Sequence, residues 1–231
     1  MISIVIPTFN EAAAIADTIH YLKNNSGRAV HEIIVTDGGS VDNTIHLAKQ
    51  AGAAIVACTT KGRAAQMNAG AAMAAGEILY FLHADTLPPE NFAEQILQAH
   101  KAGYLTGCYR LQFDYNHWFL KANAWFTRWD VNAFRFGDQS LYADKKVFKL
   151  SGGFDEKLIM LEDQEIIGRL KKYGKFIVMP TSVVTSSRKY LKNGIYKTQA
   201  VYFIIYFLYK LGFSQQRLLK LYRKLIVQDK L

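Results

Sequence analysis

The sequence predicts an α/β fold: a mostly parallel sheet flanked by helices, followed by a basic helical tail. Three observations predict it. Short apolar runs such as Ile2 to Ile6 and Ile78 to Leu82 stop abruptly at polar, glycine or proline residues, the pattern of buried parallel strands emptying into loops. Segments of helical pattern lie between these runs at a spacing that implies βαβ units. The charge is one-sided. Ten of the 28 Lys and Arg residues, but one of the 19 acids, fall in 186–231, so this segment carries the whole net charge of +9. That asymmetry implies an anionic surface as partner, either membrane or nucleic acid.

The 231 residues suffice for one large or two small domains. A composition 50% hydrophobic and 20% charged is that of an ordinary globular protein and excludes a disordered chain. Cys58 and Cys108 have no metal-ligand spacing and read as reduced thiols of a cytosolic protein. The start, Met1 to Pro7, has no basic n-region and reads as a strand rather than a signal peptide.

In order, Ile2 to Ile6 is a strand ended by Pro7-Thr8-Phe9-Asn10-Glu11, and a helix follows from about Glu11 to Leu22. Glu32 to Thr36 is a strand ended by Asp37-Gly38-Gly39-Ser40. A helix from about Asp42 to Gln50 closes at Gly52. Ala53 to Ala57 is a weak strand. Lys61 to Gly70 opens an alanine-rich helix ending near Gly76, and the strand 78–82 runs into His83-Ala84-Asp85. A helix spans about Pro89 to Gly103, then a strand Gly107 to Asp114. Residues 115–136, with Trp118, Trp125 and Trp129, are either a hydrophobic cover over the sheet or an acceptor-facing lid. Gly137-Asp138-Gln139-Ser140 precedes a short strand, Leu141 to Ala143, and a short helix from about Lys145 to Leu150. Leu161-Glu162-Asp163-Gln164-Glu165 opens a helix reaching Tyr173, its three acids complementing the helix dipole. Lys175 to Met179 is a further strand.

Right-handed crossovers put the strand ends on one edge of the sheet, where α/β proteins bind ligands. A carboxylate there, such as Asp85, can hold a divalent cation, and the cation can hold phosphates. The bland alternatives are that Asp85 caps the helix near Pro89 and that Asp37 to Ser40 is a tight turn with Ser40 as N-cap. No G-x-G-x-x-G or P-loop spacing occurs.

Four segments in order, Ile4 to Glu11, Val35 to Ser40, Phe81 to Asp85, and Gly153-Phe154 with Glu162-Asp163, resemble the family 2 glycosyltransferases of the GT-A fold over about residues 1–190. The stretch Gly62 to Gly70 and Gly137-Asp138-Gln139 resemble the arsenosugar-type subgroup. The resemblance implies that Pro7, Thr8 and Glu11 line a nucleotide pocket and that Asp37 binds the base. It sets Arg63 and Asn68 near the ribose or phosphates. His83-Ala84-Asp85 stands where the family carries its D-x-D motif, so that Ala84 and Asp85 would meet the donor and Asp85 would ligate Mg²⁺ or Mn²⁺, with His83 in place of the first carboxylate. Asp163 matches the catalytic base, and Arg188 a basic residue closing over the diphosphate. Asp138, Gln139 and Glu162 would stand on the acceptor side. The implied reaction is inverting, metal-dependent transfer from a UDP- or GDP-sugar, with a lipid-linked acceptor among the candidates.

Two other readings compete. A nucleotidyltransferase would need a glycine-rich basic loop after the first strand, and Pro7 to Glu11 has neither feature. A membrane-associated protein that binds nucleotide sugars without turnover is the second. No nucleic-acid fold signature accompanies the basic tail. The tail, 191–231, is expected as a separate helical extension. Ile195 to Leu211 is too short and too charged to span a bilayer. After Gly212 and Ser214, Leu218, Leu219, Leu221, Tyr222, Leu225 and Ile226 share one helical face, and Arg217, Lys220, Arg223, Lys224 and Lys230 the other. This predicts either peripheral attachment to the cytoplasmic leaflet through a basic amphipathic helix, or packing of the apolar stripe on the catalytic domain with a solvated basic face.

Overall fold

The computed structural model describes residues 1–135 and 137–227. The elements are β1 (Ile2–Thr8), α1 (Ile15–Asn25), β2 (Val30–Asp37), α2 (Thr44–Gln50), β3 (Ala54–Ala57), α3 (Arg63–Met73), β4 (Ile78–Phe81), β5 (Thr86–Leu87), α4 (Phe92–Lys101), β6 (Thr106–Phe113), α5 (Trp118–Phe126), β7 (Leu141–Asp144), α6 (Lys145–Leu150), α7 (Glu162–Leu170), β8 (Phe176–Thr185), α8 (Arg188–Asn193), α9 (Ile195–Lys210) and α10 (Gln215–Leu225). Two 3-10 turns, Asn132–Phe134 and Gly137–Gln139, precede β7.

One sheet runs in the order β3-β2-β1-β4-β7-β6-β8-β5. The pairs β1/β2, β1/β4, β2/β3 and β6/β8 are parallel, while β7 is antiparallel to both β4 and β6, and β5 to β8. Because β7 opposes both neighbours, β4 and β6 point the same way. Their carboxyl ends therefore open on the same edge as those of β1 and β2.

Alternation along each strand feeds two buried layers. Ile4, Ile6 and Tyr80 join Ile15, Ile19 and Leu22 of α1 and Phe92 and Ile96 of α4 on one face. Val5, Leu79 and Phe81 join Ala64 and Met67 of α3 and Ile166, Ile167 and Leu170 of α7 on the other. The small residues of α3 have a packing reason. A Cβ at Gly70 would lie 2.4 Å from a Val5 methyl and 2.9 Å from that of Thr36, so only glycine lets this helix approach β1 and β2 so closely.

Several boundaries differ from those predicted. The first helix begins at Ile15, not Glu11, because 10–14 is drawn onto the β2 loop: Asn10 takes φ +53°, and the Glu11 amide donates to Thr44 Oγ1 at 2.8 Å. α4 begins at Phe92 rather than Pro89, since Thr86 and Leu87 pair with Thr185 and Val184. β8 continues past Met179 to Thr185, with a register shift between Cys108 and Arg110 on its partner that accommodates exposed Pro180. Trp118, Trp125 and Trp129 are exposed, and Leu120 is the buried residue of α5.

The tail folds back. Leu218, Tyr222 and Ile226 of α10 form a buried cluster with Val201 and Ile205 of α9, and Tyr190, Ile195 and Tyr202 pack with the main core. Half of the apolar stripe of α10 is therefore packed inside the protein, while Leu219, Leu221 and Leu225 are half-buried. Lys230 lies outside the described residues. No helix among the described residues is long and apolar enough to cross a membrane.

Candidate active site

The loops after β1 and β2 are laced together by Asn10 and Ser40: the Asn10 amide donates to Ser40 Oγ at 2.9 Å, and Asn10 Oδ1 accepts the Val41 amide at 3.0 Å. Asp37 is the anchor of this lacing. Its carboxylate accepts Thr8 Oγ1 (3.0 Å), Ser40 Oγ (2.5 Å) and the amides of Gly39 (2.9 Å) and Ser40 (2.8 Å). Four bonds occupy the acceptor sites of a carboxylate, and Asp37 is 2% exposed. Asp37 and Thr8 thus build the pocket wall. Pro7 is likewise buried in β1.

Gln66, which no motif singled out as a contact, ties the wall to α3. Its side-chain amide donates to the carbonyls of Thr8 at 2.7 Å and Thr36 at 2.8 Å. Asn68, expected beside the ribose or phosphates, instead clamps the turn after α6. It donates to the Phe154 carbonyl and to Glu156 Oε1, each at 2.9 Å, and accepts the Phe154 amide at 2.9 Å. Ala84 is a buried spacer whose carbonyl accepts Thr18 Oγ1 at 2.6 Å. Gln139 is 1% exposed and donates to the Tyr109 carbonyl at 3.0 Å, so its expected acceptor contact becomes a structural one. In all these cases a polar side chain satisfies backbone that would otherwise be buried without a partner.

The remaining predicted residues do converge, in two clusters at the open edge. In the first, Arg188 Nη2 bridges Glu11 (3.1 Å) and Asp85 (2.9 Å). Asp85 does not cap α4. Burial, and then the charge of Asp138, push its carboxyl above the usual range, against the pull of His83 and Arg188. In the second, Arg63 Nε meets Glu162 Oε1 at 2.5 Å, and its Nη2 stands 4.0 Å from Asp163 Oδ2. Its Nη1 lies 3.4 Å from His83 Nε2, and His83 Nδ1 bonds Asp138 at 2.7 Å. Burial opposes charge on both members of this last pair, yet their mutual bond holds Asp138 down at about 2 and keeps His83 above its ordinary value.

Asp163 sits in the first turn of α7, behind Leu161 in the left-handed region at φ +66°. It lines a narrow cleft with His83, Phe81, Met67, Arg135 and Ser140. Its neighbour Glu162 is fully buried, with Oε2 lacking a hydrogen-bond partner, and burial pushes that carboxyl up. Glu162 thus orients Arg63, while Asp163 keeps an open face. Arg135 is a cleft residue that no sequence signal marks. It bonds Cys108 Sγ at 2.7 Å, pairs with Asp130 and lies 4.8 Å from the Phe176 ring centroid.

The side chains at this edge suit a divalent cation through one carboxylate. Both ring nitrogens of His83 face partners, so the imidazole is not a free ligand. Among the described residues no three His, Cys, Asp or Glu side chains gather as a metal cluster. One carboxylate, Asp85, raised by burial and then by the charge of Asp138, suits a cation whose other ligands are phosphates and water, as is usual for Mg²⁺.

A mostly parallel sheet thus carries carboxylates and two arginines at its open edge, the place where α/β proteins bind ligands. The model of the family described as "Glycosyl transferase family 2" matches residues 3–152, and the chain belongs to that family. It is 29% identical over 101 residues to the glycosyltransferase AglE of Haloferax volcanii, an alignment covering 41% of this chain and 33% of that protein. Among solved structures it is similar to the mannosyltransferase PcManGT from Pyrobaculum calidifontis in complex with GDP-Man and Mn²⁺ (TM-score 0.70, 16% identity, 88% of this chain and 61% of that one). It is also similar to S. aureus TarS 1-349 (TM-score 0.68, 13% identity, 83% and 62%). The chain thus spans a third of the AglE protein's length and about three fifths of these two structures. The structural likenesses speak for the GT-A fold.

Proposed function

We propose that this chain is an inverting, metal-dependent glycosyltransferase that moves a sugar from a nucleoside-diphosphate donor, UDP- or GDP-linked, to an acceptor hydroxyl. One observation carries the reading: Asp163 lines a cleft with His83 and stands 4.0 Å from Arg63, on the edge that also holds Asp85, Glu11 and Arg188. The structures of similar fold solved with GDP-Man and Mn²⁺ or with UDP-GlcNAc support a nucleotide-sugar donor. The arsenosugar-type likeness of the Gly62 to Gly70 stretch belongs to the same proposal, as does the division of the chain near residue 190.

Asp163 accepts the proton of the acceptor hydroxyl as its oxygen attacks the anomeric carbon. The bond from that carbon to the diphosphate breaks on the opposite face, and its electrons leave with the phosphate. A single displacement with one base inverts the centre. Arg63 and Arg188 stand on the same edge as donors toward the growing negative charge. Arg188 reaches the phosphates by leaving Asp85, which frees that carboxylate. Asp85 would hold Mg²⁺ or Mn²⁺, which when bound supplies charge stabilisation at the phosphates.

Asp163→Asn tests the assignment. It keeps shape and removes only proton acceptance, so donor affinity should persist while turnover falls by about 10²- to 10⁴-fold, the usual worth of a general base. Parent-like turnover in that variant would remove the role from Asp163. Release of free sugar from the donor by the parent protein separates this reading from binding without turnover.

We also place the protein at an anionic membrane surface on the cytoplasmic side. The support is the outer face of α9, where Tyr196, Phe203, Phe207 and Leu211 fall on one exposed helical stripe beside Trp118, within the basic tail.

A further inference from the structure

A cavity of about 480 Å³ lies between α5 and the exposed face of β6, lined in part by Arg110, Gln112, Lys121, Trp125, Arg128 and Ser182. Its size is that of a small-molecule site. We propose that this cavity receives the acceptor, and that the acceptor carries a phosphate or phosphodiester group held by Arg110, Lys121 and Arg128. The proposal rests on the glycosyl-transfer reading above and names the substrate class of that same site.

Position carries the first part. Gly107 of β6 and Tyr80 of β4 both pair with Tyr142 of β7, so they stand at one level. From that level both strands run toward the same edge, β4 leading to His83 and β6 to Arg110, about two strand spacings apart. Arg110 shares its strand face with Cys108, and Cys108 bonds Arg135, which lines the Asp163 cleft. An acceptor whose hydroxyl meets Asp163 would therefore extend along this edge into the cavity.

Charge carries the second part. Arg110, Lys121 and Arg128 make no ion pair among the described residues. Arg110 Nε is buried without a hydrogen-bond partner. The one acid of the lining, Asp114, already accepts the amide and hydroxyl of Ser187 at 2.8 and 2.5 Å. Arg128 lies 4.3 Å over the Trp125 ring, which is 45% exposed. Unpaired guanidinium groups converging on a cavity fit the tetrahedral oxygens of a phosphate, and an exposed indole fits a sugar ring or a prenyl chain.

The test is titration calorimetry of the full chain with glycerol 3-phosphate, with a short prenyl phosphate and with glycerol, against the parent and a Lys121→Gln/Arg128→Gln variant. Both substituted side chains are exposed, and a thermal melt checks the variant's fold. Both phosphates should bind the parent saturably and the variant at least ten-fold more weakly, with no binding of glycerol. Tighter binding of the prenyl phosphate assigns a lipid source, and equal binding a soluble one. Donor hydrolysis should be the same in parent and variant, because neither Lys121 nor Arg128 lies at the donor edge. Loss of hydrolysis in the parent would strike the glycosyl-transfer reading alone. Equal phosphate binding by parent and variant, or no saturable binding by either, would overturn the cavity assignment.

Discussion

Asp37 and Asp163 are both carboxylates at the opening of a loop or helix, and the structure gives them opposite work. Asp37 spends its oxygens on Thr8, Ser40 and Gly39, whereas Asp163 keeps one face toward the cleft. The two look alike in sequence, because a residue letter does not reveal whether its acceptors are already filled by nearby backbone. Nor does a letter reveal that Asn68, Ala84 and Gln139 bond to the protein's own groups, or that Gln66 and Arg135 reach this region. By contrast, Asp85, Glu11, Arg188, Arg63 and Asp163, whose order along the chain sets them at strand and helix ends, do stand together at the open edge. The wall role of Asp37 gives a prediction. Asp37→Ala leaves two amides and two hydroxyls without their partner, so it should lower unfolding stability by about 1–3 kcal/mol. Denaturant titration checks this, and a loss confined to nucleotide affinity would return Asp37 to the base.

At the scale of elements, periodicity revealed the strands that face core on both sides, but not the direction in which they run. β7 is read from sequence as a short strand, and nothing in Leu141 to Ala143 announces that it lies antiparallel between β4 and β6. β5 has two residues and no period to detect. The two tail helices were placed within a residue or two, yet the partner of α10 was not. An amphipathic pattern shows that a face will be covered, not by what. Here α9 covers it, and Gln215 at the start of α10 accepts the amides of Ile159 and Met160 at 3.0 Å, just ahead of α7. The tail thereby steadies the segment that presents Asp163. The outer stripe of α9 remains, with Phe207 at 62% and Leu211 at 59% exposure. Phe207→Ser/Leu211→Ser should release the protein from anionic liposomes in co-sedimentation, while high salt should weaken the parent's binding through the basic residues. Parent and variant sedimenting alike would detach the stripe from any membrane role.

For the molecule as a whole, the sheet gathers opposite charges on one edge and leaves the net positive charge to the tail. Arg188, the residue that joins the two, comes from the segment after β8 and lies against Glu11 and Asp85 from the segments after β1 and β4. Residues 177 positions apart thus meet at the proposed phosphate site, and the donor edge is complete only when both ends of the chain are in place. The claim on which the account turns is that Asp85 couples donor to metal at that edge. The most direct measurement is titration of UDP- and GDP-sugars into parent and Asp85→Ala protein, each with and without Mn²⁺. Mn²⁺ should tighten donor binding by the parent at least ten-fold and leave the variant's binding unchanged. An Asp85→Ala protein whose donor binding still tightens with Mn²⁺ as the parent's does would contradict it.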